Sequence, residues 1–150
     1  MNTLLTTIVL WLSTNFGLPA SNEHPRVEFR PPAEIVALRY GNVVDRGSQA
    51  ANALAQPSPR EVVSVYDHAT KTIYLPEGWL GNTPAELSVL VHEMVHHLQN
   101  VGKLKFECPQ EREQIAYKAQ ERWLNLFGRD LLRDFELDPF TLLVITKCGY

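Results

Sequence analysis

One stretch constrains the fold more than any other: "TPAELSVLVHEMVHHLQNVG", residues 83–102. Thr83 is an N-cap residue, Pro84 suits the first helical position, and Glu86 closes a capping box. Gly102 supplies a stop. The pattern predicts a helix from Pro84 to about Gln99 or Asn100. At roughly 100° per residue, Leu87, Leu90, Val91, Met94, Val95 and Leu98 share one side. Such a stripe has to be buried, so the rest of the chain must supply a core around it. The opposite side carries Ala85, Ser88, Val89, His92, His96 and Gln99. His92 and His96, four residues apart, point together on it. His97 lies about 140° from His92, and reads as a structural or partner-facing residue with a supporting role as the alternative.

The chain has the means to build one such core. It has 150 residues, 45% hydrophobic and 21% charged, which suits a single domain. A net charge of −3 offers no basic stripe for nucleic acid and no acidic tail. Before the central helix, "EVVSVYD" (61–67) and "TIYLP" (72–76) are β-rich runs around a polar turn, which predicts a hairpin. Residues 21–33 read as an extended lead-in, 33–41 as a short helix ended by Gly41, and 48–60 as a helix-like segment broken at Pro57 and Pro59. After it, a second helix starts near Pro109 and ends before Gly128. "RDLLRDF" makes a further turn, and Asp138-Pro139 opens a last helix. The expected class is α+β: a small hairpin or sheet beside two core helices, with further helices C-terminal.

The first twenty residues differ from the rest. They carry no charged side chain, are mostly apolar over residues 4–12, and end at a small residue, Ala20. They read as a secretory leader cleaved near Ala20, leaving one domain over 21–150. The n-region lacks Lys and Arg, and the alternative is an uncleaved apolar helix that packs or anchors. The run is too short for a comfortable membrane span. Export to a secreted or periplasmic location would let Cys108 and Cys148 form one disulfide, tying the start of the second helix to the C-terminus. In a reducing compartment they would be two free thiols.

His92-Glu93-Met94-Val95-His96 is the pattern H-E-x-x-H. Two imidazoles at i and i+4 can hold one zinc ion, and the glutamate after the first leans toward the open coordination position. There it can take a proton from a water that the ion activates. A chance match in a chain of this composition has odds of about one in a hundred. "VLVHEMVHHLQ" resembles the active-site helix of the zincin metallopeptidases. The resemblance is close over this helix and holds in outline over 60–125. It implies one Zn²⁺ bound by His92 and His96, Glu93 as general base, and a peptide or protein substrate aligned along the 72–76 strand. With the leader removed, no stable membrane insertion is expected.

A catalytic zinc keeps three protein ligands. The longer metzincin pattern would need Gly at 99 and His at 102, where this chain has Gln99 and Gly102. No histidine follows His97. The gluzincin branch takes its third ligand from a glutamate on a following helix, so that resemblance points to Glu113, with Glu111 and Glu121 as alternatives. Glu113 heads a stripe with Ala116, Tyr117, Gln120, Leu124 and Phe127, all within about 60° of it, whereas Glu111 lies on the opposite side. Tyr117, on the Glu113 face, is a candidate to stabilise the transition state, with His68 and Tyr74 as others. Gln99 and Gln120 could orient the ligands. Two rival readings remain: a zincin-like, partner-binding module without turnover, and a helix pair held by the disulfide without metal.

Overall fold

The structure is a computed structural model, and it describes residues 1–39 and 64–149. The helix-like segment 48–60, the Gly41 stop and the first part of the 61–67 strand lie outside the described residues. In chain order the elements are α1 (Asn2–Phe16), β1 (Arg26–Arg30), α2 (Pro32–Arg39), β2 (Val65–Asp67), β3 (Thr72–Pro76), α3 (Pro84–Val101), α4 (Pro109–Asn125), α5 (Leu131–Asp134) and α6 (Pro139–Thr146). The class is α+β, with six helices and a three-stranded sheet among the described residues.

α3 starts where its sequence says it should. The Thr83 hydroxyl accepts from the Glu86 amide at 3.1 Å, with Pro84 in the first turn. The returning half of the capping box is diverted: the Glu86 carboxylate accepts from the Leu80 amide at 2.9 Å and so holds the preceding loop. Leu90, Val91, Met94, Val95 and Leu98 are all fully buried. Each such side chain contributes about 1.5–3 kcal/mol of transfer free energy. The polar side is not wet. Ser88, His92, Glu93 and Gln99 are buried as well, because α4 packs along that side.

The predicted β2–β3 hairpin forms, with Tyr66 opposite Ile73. A third strand was read as lead-in: β1 pairs in parallel with β3, Val27 opposite Ile73. This corrects the expected substrate edge. β3 is the central strand of the order β1-β3-β2, so its hydrogen-bonding groups on both sides are engaged. Among the described residues β2 has one partner strand, and it is the edge nearer α3.

Residues 1–20, read above as a leader, take a defined place. Leu5, Ile8, Val9 and Leu12 follow an i, i+3, i+4, i+7 stripe and are buried in the core with α3 and α4. Trp11 meets Trp123 edge-on at 5.3 Å, and the Arg122 guanidinium lies over Phe16 at 5.3 Å. Leu18 is buried, and Pro19 comes so close to Gly102 that a Cβ there would stand 2.6 Å from its Cγ. Gly102 therefore allows a close approach as well as ending α3. No described helix is long and apolar enough to cross a membrane.

Cys108, the N-cap residue of α4, is disulfide-bonded to Cys148 beyond α6. Asp138 caps α6, accepting from the Thr141 amide at 2.7 Å. α4 ends at Asn125, so Phe127, expected on the inward stripe, is half exposed, whereas Ala116, Gln120 and Leu124 are buried on it.

Candidate metal centre

α4 crosses the polar side of α3 and brings Glu113 between the two histidines. His92 Nε2 lies 3.0 Å from Glu113 Oε2, and His96 Nε2 lies 3.1 Å from Oε1. The ligand atoms of the three residues all fall within 4.8 Å of one another. The two alternatives do not join them. Glu111 turns back to accept from the Glu107 amide at 2.6 Å, and Glu121 is exposed.

The hydrogen bonds behind the imidazoles decide which nitrogen faces inward. His96 Nδ1 lies 3.0 Å from Gln99 Oε1, and Gln99 Nε2 donates to the Arg112 carbonyl at 3.1 Å. A carbonyl only accepts, so the amide has to present its nitrogen there and its oxygen to His96. His92 Nδ1 lies 2.9 Å from Gln120 Oε1, and Gln120 Nε2 donates to the Ser88 hydroxyl at 3.3 Å. That hydroxyl is itself committed as a donor to the Ala85 carbonyl at 2.7 Å. Both imidazoles thus donate from Nδ1 to an amide oxygen. When they are neutral, each Nε2 lone pair faces the Glu113 carboxylate. Either protons on Nε2 or a metal ion can fill that place, and this donor set, two imidazoles and one carboxylate, is one that suits zinc.

With no metal bound, protons on Nε2 take that place: burial would raise the Glu113 pKa, but hydrogen bonds from His92 and His96 outweigh it and hold the carboxyl well below the usual range. Burial likewise opposes charge on His96, yet Glu113 raises its pKa. His97 belongs elsewhere. It is fully buried, its Nε2 donates to the Glu23 carbonyl at 2.6 Å and its Nδ1 accepts from the Tyr66 hydroxyl at 3.0 Å. Burial lowers its pKa, and it pins the strand and the lead-in to α3.

Glu93 is only 5% exposed, and lines a cavity of about 70 Å³ with His92, Tyr117, Gln120 and Ser64. The Ser64 hydroxyl donates to Glu93 Oε1 at 2.9 Å, leaving Oε2 without a described donor. Ser64 was not singled out from the sequence. Its signal was a lone hydroxyl inside the β-branched run "VVSVY". Tyr117 packs edge-on against His92 at 4.5 Å, and burial pushes its pKa up to about 12 against the opposing pull of Arg39. It therefore stays protonated and can donate. On the other side of the triad a second cavity, about 250 Å³, is lined by His96, Glu113, His68 and Arg112 among others. Tyr74 lies away from both, under the Arg30 guanidinium at 5.7 Å.

The model of the family described as "Domain of unknown function (DUF6647)" matches residues 1–149. The chain belongs to this family. The DUF6647 match covers every described element, α1 included. No curated protein and no solved structure matches the chain.

Proposed function

We propose that this DUF6647 chain is a zinc metallopeptidase of the gluzincin type that works outside the cytoplasm with α1 retained as an uncleaved, packed helix. The observation that carries the reading is the convergence of His92 Nε2, His96 Nε2 and both Glu113 oxygens, with amide partners fixing both imidazoles. These three residues would hold the ion. When bound, zinc supplies a Lewis acid for the scissile carbonyl and makes water a nucleophile near neutral pH.

The remaining chemistry falls to the chain. Glu93 accepts the proton of the attacking water on Oε2 and passes it to the leaving amine. Ser64 holds the other carboxylate oxygen and fixes the orientation of the base. Tyr117, protonated at neutral pH, donates toward the oxygen on which negative charge develops. β2 offers a strand edge to an extended substrate. The Cys108–Cys148 bridge supports an oxidising, extracytoplasmic setting.

The test is Glu93→Gln beside wild type, read by zinc content and by cleavage of a quenched-fluorescent peptide library. The variant should keep its zinc and lose at least about a hundredfold in hydrolysis. Equal hydrolysis by the two proteins would remove Glu93 as the base. A zinc-bound wild type that cleaves nothing would favour the partner-binding module instead.

A further inference from the structure

The cavity beside His96 and Glu113 has walls of two kinds. Leu104, Phe106 and Pro109 are apolar. Most of its polar groups are already engaged with one another. Gln99 bonds His96 and the Arg112 carbonyl, the Tyr66 hydroxyl bonds His97, and Asn100 Nδ2 donates to Tyr66 at 2.9 Å and to the His68 carbonyl at 3.0 Å. Among the described residues Glu113 is the one carboxylate lining it, and both its oxygens face the histidines. Three groups are left over: the Arg112 guanidinium, the His68 imidazole and the amide oxygen of Asn100. Among the described residues Arg112 has no carboxylate partner. It lies 5.7 Å over the Phe106 ring, and both Arg112 and His68 are exposed to solvent.

A guanidinium fork with no carboxylate of its own, an imidazole beside it and an apolar wall for methylenes are complementary to an acidic side chain. The amide oxygen suits a backbone N–H of the same peptide. We propose that this cavity is a specificity subsite for a substrate residue bearing a side-chain carboxylate, read chiefly by Arg112. The cavity's volume of about 250 Å³ admits a glutamate side chain, and its sharing of His96 and Glu113 places that residue next to the scissile bond. The inference rests on the peptidase reading for its placement in a reaction, and on the cavity alone for binding.

The experiment uses two fluorescein-labelled decapeptides of Ala, Gly and Ser, one carrying a single Glu and the other Gln at that position. Binding to zinc-treated Glu93→Gln protein is followed by anisotropy. The Glu peptide should bind about tenfold tighter. Arg112→Gln should abolish the preference with zinc content unchanged, and Arg112→Glu should turn it toward a Lys peptide. Equal binding, no measurable binding, or a Glu preference that survives Arg112→Gln overturns the subsite. The two readings fail separately. An Arg112-dependent preference in a chain that takes up no zinc would sink the peptidase and keep the binding site. Zinc and cleavage without that preference would do the reverse.

Discussion

The two long sides of α3 are buried to similar depth for opposite reasons. Leu90, Val91, Met94, Val95 and Leu98 are buried because leaving water favours them. Ser88, His92 and Gln99 are buried against α4, where an unpaired polar group would cost about 1–3 kcal/mol each. That side is tolerable because each of these groups has a partner: Ala85 for Ser88, Gln120 for His92, Arg112 and His96 for Gln99. Among the described residues the pairing is complete except at Glu93 Oε2 and where His92 Nε2 and His96 Nε2 meet Glu113. The contrast teaches that polar burial here depends on partners and draws His92, His96 and Glu113 into one cluster, whereas apolar burial has no such focus.

The largest way to break the apolar side is to remove α1, which contributes Leu5, Ile8, Val9 and Leu12 to the core. At about 1.5–3 kcal/mol each, their loss is on the scale of a domain's whole stability. A chain beginning at Ser21 should then lose its cooperative thermal transition by circular dichroism. A cooperatively folded Ser21 chain would instead support the leader reading of residues 1–20. Next in size, Leu98→Ala should cost about 2–5 kcal/mol in urea unfolding and leave the zinc stoichiometry of folded protein intact. If it stripped zinc from folded protein, the two sides would not be separable.

On the polar side the order of effects reverses, with the metal moved more than the fold. Gln120→Ala should weaken zinc binding by about 10- to 100-fold in a chelator competition, because His92 loses the acceptor that fixes its tautomer. Unchanged affinity would mean that the amide is packing alone. The smallest effect is expected at Ser64. Ser64→Ala should lower kcat by about tenfold with KM and zinc content unchanged, and Ser64→Thr should restore much of it. A change confined to KM would assign Ser64 to substrate rather than to the base.

How much of this was legible depended on how local the signal was. α3, α4 and α6 follow from caps and periodicity within a few residues: Thr83, Pro84, Pro109 and Asp138 each start a helix where expected. The convergence of His92, His96 and Glu113 was expected from the gluzincin resemblance, which implies a glutamate on the following helix; helix phase then set Glu113 apart from Glu111, with Glu121 left as an alternative. What was missed is long-range. "RVEFR" carries two arginines and follows a proline, so nothing local marks it as a strand until β3 lies beside it. With β1 unseen, β3 was taken for an edge. Ser64 touches Glu93 across 29 positions of sequence, and the burial of α3's polar side depends on α4 covering it. A helical phase says which residues share a side, not whether another helix closes over that side.

The most direct test of the account is zinc content by mass spectrometry of native wild-type protein beside Glu113→Ala, both prepared without chelator and then offered zinc. The account predicts one zinc per wild-type chain and a large loss of zinc in the folded variant. A wild-type chain that takes up none, or a variant that holds zinc as tightly as wild type, would contradict it.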